Sequence, residues 1–254
     1  FNIKVSGNNV PTSLTPQTVF IETGLTSAFK LRFEVQSWSP PGDDHWYFDN
    51  LKIDSVGRHF YVDANSGDDS YSGDRANPFK TFKKAYELTS NGDTIDLVGT
   101  FDWSQEPTNT KSTTSHWGFE IKKSLLIRGQ GADNTIIQAG ARPTEFGAAS
   151  ATHERRVFTM TDPAVDLTLE KLQIRYGRFD PSFPNLYEKG GGIYNLGDLT
   201  LKKVALSNNV ILGGESGGAI YTEGNLTLKN STIDHNISKG ADAGAIEFNG
   251  GSSH

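Results

Sequence analysis

Two stretches of the chain nearly repeat each other: GGGIYNLGDLTLKKVALSNN (190–209) and GGAIYTEGNLTLKNSTIDHN (217–236). Subtracting 190 from 217 gives a period of 27, and the same offset pairs Tyr194 with Tyr221, Leu199 with Leu226, and Asn209 with Asn236. Ten of the twenty aligned positions are identical. A looser copy runs DLTLEKLQIRYG (166–177), and another begins at AGAIEFNG (243–250). Repeats at this spacing signal a solenoid, in which each unit buries its apolar face only against its neighbours.

Two solenoids compete for the pattern. LKKVALSNN (201–209) fits a leucine-rich template with Val204 in place of one leucine, and LKNSTIDHN (228–236) fits it more loosely. That template needs a helical or 3₁₀ linking half. The linking half here, VILGGESGGAIYTEGN, holds five glycines, each costing a helix about 1 kcal/mol. A parallel β-helix accommodates both halves. Each coil then carries three short strands, AIY, LTL and STI in the second copy. Alternation points Leu226, Leu228 and Ile233 inward and Thr227 and Thr232 outward. Glycines take the corners, where positive φ or close backbone approach is needed. Asn209 and Asn236 fall at one corner, one coil apart, where stacked amides form a structural ladder.

The GGGI, GGAI and AGAI phrases, followed by LSNN and IDHN, resemble the GGAI and FxxN repeats of polymorphic outer-membrane and adhesin-type β-helix proteins. Leu206 and Ile233 stand at the aromatic position of that pattern. Upstream, FYVDANSGDDSYSGDRANPFKTFKKAYELTSNGDTIDLVGTF (60–101) reads as a strand, an Asp/Gly/Ser loop, a helix, a turn and a second strand. Asn77 and Pro78 are the expected cap and first position of the helix. Phe79, Phe82, Ala85 and Tyr86 give it one apolar face. The segment resembles the N-terminal cap of pectate-lyase-like right-handed β-helices. That resemblance implies a short amphipathic helix covering the open end of the solenoid.

Residues 1–56 have no such echo and read as four strands, 1–6, 17–22, 28–36 and 45–54. The last, with Trp46, Phe48, Leu51 and Ile53, resembles the closing strand of jelly-roll modules, including carbohydrate-binding and laminin-G-like ones. Four strands are too few for a sandwich, which takes about seven. The expected organisation is therefore a partial β-sandwich module (1–56), a β-helix cap (57–92) and parallel coils (93–254) that continue beyond the given sequence. The fold class is all-β.

Composition narrows the chemistry. The net charge is −6 and no basic run exceeds a pair, which disfavours a nucleic-acid partner. Cysteine is absent, removing disulfides, cysteine-bound metals and thiol catalysis. No window approaches the roughly 18 apolar residues of a membrane span. Oxygen-rich loops bind calcium, so Asp63, Asp68, Asp69 and Asp74 are weighed for structural Ca²⁺ against ordinary turn chemistry. Asp49 matches a position that supports calcium in jelly-roll modules. Trp38, Trp46 and Tyr47 are weighed as a sugar-stacking platform against a sandwich core.

For catalysis, the outward columns read Arg175, Ser207, Asp234 and Gln173, Ala205, Thr232. Neither stacks two carboxylates with a base. HERR (153–156), with Arg175, Arg178 and Asp180, reads as solvated charge. The expectation is a fragment of a large secreted or cell-surface bacterial protein, its β-helix a non-catalytic adhesin or stalk that meets glycans. The alternative is a polysaccharide-lyase-like enzyme with a carbohydrate-binding module.

Overall fold

The computed structural model describes residues 57–106, 118–140, 155–179, 189–212, 217–239 and 243–250. The chain divides into two units, Phe1–Lys52 and Ile53–His254, and the described residues all belong to the second. The expected sandwich strands lie outside them.

The chain is laid down in successive passes. The first holds β1 (His59–Asp63), helix α1 (Phe82–Leu88) and β2 (Thr94–Asp102). The second holds β3 (Phe119–Glu120), β4 (Leu125–Arg128) and β5 (Thr135–Gln138). A third contains β6 (Phe158–Met160), β7 (Asp166–Glu170), β8 (Gln173–Arg175) and β9 (Arg178–Phe179). The fourth contains β10 (Ile193–Asn195), β11 (Asp198–Lys202), β12 (Ala205–Ser207) and β13 (Val210–Leu212). The fifth contains β14 (Ile220–Thr222), β15 (Leu226–Lys229), β16 (Thr232–Asp234) and β17 (Ile237–Lys239), and β18 (Ile246–Phe248) follows. The later passes thus carry a fourth short strand beside the three expected. Positions 210–212, in the linking half of the repeat, and 237–239 one pass later form the rungs β13 and β17.

Strands at equivalent places pair in parallel with the passes before and after. One sheet runs β15-β11-β7-β4-β2-β5-β8-β12-β16, with β1 also on β2; a second runs β18-β14-β10-β6-β3, and a third β17-β13-β9. This all-β arrangement of parallel sheets is compatible with a parallel β-helix. Strand β2 belongs to both legs of the first sheet: Thr94–Asp96 pair with β4 and Gly99–Asp102 with β5. The bend falls at Gly99, whose φ is +95° and where a Cβ would sit 2.8 Å from the Asn65 amide.

Register places like residues over like. Leu167, Leu199 and Leu226 stack, as do Leu169, Leu201 and Leu228, with Thr168, Thr200 and Thr227 between them. On the other leg Phe101, Ile137, Ile174, Leu206 and Ile233 form one column. Most of these apolar side chains are fully buried in one continuous core. Each fully buried Leu or Ile contributes about 1.5–3 kcal/mol relative to exposure, and that packing supplies the cohesion between passes.

Two corners differ from the expectation that glycine turns them. Lys171, Lys203 and Asn230 have φ of 54°, 55° and 52°, and Tyr176, Asn208 and His235 have 59°, 55° and 51°. The same left-handed residue recurs pass after pass, at about 1–2 kcal/mol each for a residue with a Cβ. Glycine is required where backbones crowd: a Cβ at Gly191 would lie 2.5 Å from the Gly218 carbonyl.

Helix α1 starts later than Asn77 and Pro78 suggested. Its cap is Thr81, whose hydroxyl accepts from Lys84 N at 3.2 Å. Phe79 stays outside the helix and bridges to Val62 in β1. Phe82, Ala85 and Tyr86 are buried as the periodicity required. Phe82 meets Phe119 edge-on at 4.7 Å and lies 5.6 Å from Trp103 and 6.1 Å from Phe158.

Candidate functional site

Trp38, Trp46, Tyr47 and Asp49 lie outside the described residues, as do residues 107–117, 141–154 and 180–188. The acidic loop is described, and each carboxylate there serves its own turn. Asp63 accepts from the amides of Asn65 and Ser66 and from the Ser66 hydroxyl. Burial pushes its carboxyl up, but those hydrogen bonds more than offset it and hold it below the ordinary value. Asp68 accepts from the Ser70 amide and hydroxyl, which hold it low. Asp74 binds the Ser72 hydroxyl and the amides of Ala76 and Asn77, with the same effect. Asp69 accepts from Lys80 N and Thr81 N, both 2.9 Å, and from the Thr81 hydroxyl at 2.7 Å, fixing the entry to α1. Among the described residues, no group of three or more His, Asp or Glu side chains is arranged to hold a metal ion.

The two asparagines meet at a corner. Asn209 Nδ2 donates to Asn236 Oδ1 at 2.9 Å, and Asn209 Oδ1 accepts from Gly177 N at 2.9 Å. Asn236 Nδ2 in turn donates to the Leu206 carbonyl at 3.0 Å. These amides connect three passes and act as internal structure.

The richest outward chemistry lies on the second leg of the first sheet. Register extends the column read from the repeat by two further rungs, to Asp102, Gln138, Arg175, Ser207 and Asp234. Gln138 Nε2 donates to Asp102 Oδ2 at 2.7 Å, and Arg175 Nε donates to Gln138 Oε1 at 2.8 Å. The other oxygen of Asp102 accepts from the Ser104 amide and hydroxyl at 2.8 and 2.6 Å. Arg155 reaches the same end of the column, donating to the Trp103 carbonyl at 2.7 Å. Burial pushes the Arg155 guanidinium down and Asp102 opposes that shift.

Beside this end sits Glu106, half-buried, accepting from Phe82 N at 3.1 Å. Burial, with the Asp69 and Asp102 charges, pushes its carboxyl up to about 7 against the Phe82 hydrogen bond and Lys80. A carboxylic acid that titrates near neutrality beside a second carboxylate is equipped for proton donation. Sequence reasoning missed Asp102, Gln138 and Glu106. The offsets within the column there are 36 and 37 residues, so the 27-residue alignment never reached those rungs.

A second outward cluster forms on the first leg. Asp96, nearly buried, binds Arg128 Nε at 2.6 Å and His59 Nδ1 at 3.1 Å. The column continues through Glu170, Lys202 and Lys229.

Arg156 and Arg178 depart from the reading of solvated charge, while His153 and Glu154 lie outside the described residues. Arg156 is fully buried and Arg178 is 3% exposed. Arg156 Nε donates to the carbonyls of Lys189 and Gly190, and its guanidinium lies over Phe179 at 4.7 Å and Tyr194 at 5.2 Å. Asp180 lies outside the described residues.

No family model, no curated protein and no solved structure matches this chain.

Proposed function

We propose that residues 57–250 form a right-handed parallel β-helix, capped by α1, that serves as a non-catalytic rod or adhesive surface in a larger secreted or cell-surface protein. The observation that carries this reading is the register. Leu125, Leu167, Leu199 and Leu226 follow one another on consecutive strands, so every pass is a support for the next. Right-handedness is what the resemblance of residues 60–101 to the cap of right-handed β-helices implies. Six strands on the first leg, β1 to β15, correspond to about 24 Å of axial length at about 4.8 Å per step. The outward polar groups mostly engage one another, as Asp102 with Gln138 and Asp96 with Arg128 do. No helix among the described residues is long and apolar enough to cross a membrane.

A second reading rests on Glu106. Its raised carboxyl lies in the field of Asp102, which in turn bonds Gln138 and through it meets Arg175, a set suited to a carbohydrate-active enzyme. One experiment separates the two. The chain is incubated with acidic and neutral polysaccharides, with and without Ca²⁺, while ultraviolet absorbance follows unsaturated products and a second assay follows new reducing ends. The rod reading expects retention on immobilised glycans without turnover. Turnover that disappears in Glu106→Gln or Arg175→Ala would replace it with the enzyme.

A further inference from the structure

One hydroxyl, away from the two outward columns, draws together side chains carried by three passes. Tyr221 lies in β14, where Ile220 belongs to the continuous core and the alternation of the strand turns the Tyr221 ring to the other face of the sheet. The residue is 1% exposed, and its ring stacks on that of Tyr194, its register partner in β10, with centroids 5.4 Å apart. Its hydroxyl donates to Glu223 Oε1 at 2.6 Å. The same oxygen accepts from Lys189 Nζ and from Asn249 Nδ2, each at 3.1 Å. An amine, a primary amide and a carboxylate thus meet on one atom that both takes and gives a proton.

The main chain pins each of the three carriers. The Lys189 carbonyl accepts from Arg156 Nε at 2.9 Å, Glu223 N donates to the Asn195 carbonyl at 2.9 Å, and Asn249 N donates to the Thr222 carbonyl at 2.8 Å. Lys189 precedes β10 and Asn249 follows β18, so only the stacking of passes brings them together.

We infer that Lys189 and Asn249 are the partners of an intramolecular amide bond that the folded chain forms by itself, with Tyr221 and Glu223 moving the protons. Lys189 Nζ passes one proton through the Tyr221 hydroxyl to Glu223 and attacks Asn249 Cγ as the free amine. The Nζ–Cγ bond forms and the Cγ–Nδ2 bond breaks. Nδ2 leaves carrying a second proton from Nζ and the one that Glu223 returns. A lysine ammonium and a primary amide become a secondary amide and an ammonium ion, and Glu223 ends as the carboxylate it began as. The exchange needs no oxidant and no other co-reactant. Its driving advantage is position: groups held in line react as if at about 10⁵–10⁸ M. The product would be a covalent tie across β10, β14 and β18, whose passes otherwise cohere through burial and hydrogen bonds. It is independent of the choice between rod and enzyme.

The test is the mass of the folded 254-residue chain. It is expected to fall below the sequence mass by one ammonia. Digestion is expected to release a branched peptide joining Lys189 to Asn249, with trypsin no longer cutting after Lys189. Chain kept in denaturant should hold its full mass until it is refolded. Lys189→Arg keeps the charge and should stay at its own full mass. Tyr221→Phe keeps the ring but breaks the relay, and Glu223→Gln removes the proton acceptor; each should slow the link by about 100-fold or more. A parent chain still at full mass after prolonged incubation overturns the proposal and leaves Tyr221 as a static hydrogen-bond centre. Ammonia loss without the branched peptide overturns it too, because it marks an asparagine cyclising elsewhere. So does a link that forms at the parent rate in both Tyr221→Phe and Glu223→Gln.

Discussion

Glu106 makes stability depend on pH in a direction opposite to that of most carboxylates. Its ordinary value is 4.5, and in the folded chain it is pushed up to about 7 by burial and by Asp69 and Asp102. Below the lower value the group is protonated whether the chain is folded or not, and it contributes nothing. Between the two values the folded chain holds a proton that the unfolded chain has released, so stability falls as pH rises. Above about 7 the loss is complete and constant. A shift of that size corresponds to about 3 kcal/mol at about 1.4 kcal/mol per pH unit. Screening at a half-exposed carboxyl reduces it to about 1–2 kcal/mol. For a unit of this size, about 1 kcal/mol moves Tm by roughly 2–4 °C, so Tm should drop by about 2–8 °C between pH 5 and pH 8.5. Glu106→Gln keeps an oxygen for Phe82 N and removes the charge. The variant should exceed the parent only slightly at pH 5 and by a wider margin at pH 8.5. The hydrogen-bonded Asp63, Asp68 and Asp74, held below 3.8, lose their contribution only in more acid solution and leave this window clear. Calorimetry across that range checks it. A flat parent profile, or a variant with the parent's slope, would refute the assignment of the raised carboxyl.

Other substitutions test the packing directly. Asn209→Ala leaves the buried Gly177 N without its acceptor and should cost about 1–3 kcal/mol in urea denaturation; half-buried Asn236→Ala should cost less. Thr81→Ala removes the true cap and its bond to Asp69 and should cost about 0.5–2 kcal/mol, while Asn77→Ala stays within about 0.5 kcal/mol. Leu201→Ala, at a fully buried position, should lower stability by about 2–5 kcal/mol by the same measurement.

The parallel layering was legible because it has a period. Leu199 over Leu226 and Asn209 beside Asn236 can be read from a 27-residue offset without knowing the shape between them. Local chemistry was less reliable. Asn77 followed by Pro78 carries every mark of a helix start, yet Phe79 is drawn into a bridge with Val62 and the helix begins only after Thr81. There the strand edge of β1 outcompetes the local signal. The fourth strand per pass was not counted among the three expected for a related reason. Three-residue segments such as Val210–Leu212 gain their pairing from the passes on either side rather than from any alternation of their own.

Arg156 shows why the site chemistry stayed hidden where the fold did not. A run of His, Glu and two arginines reads as solvated because an isolated guanidinium loses several kcal/mol on leaving water. That reading assumes the neighbours in sequence are the neighbours in space. In the folded chain Arg156 meets carbonyls 33 and 34 residues away and two aromatic faces from Phe179 and Tyr194. Burial still pushes its guanidinium down to about 9, with Tyr194 opposing, so the compensation is incomplete. The same logic governs Asp102, Gln138 and Arg175, whose hydrogen bonds span passes of unequal length. In stacked architectures the apolar interior announces itself by repetition. Polar contacts between irregular passes have no period to betray them, and the rungs with the most outward chemistry are therefore those the repeat explains least.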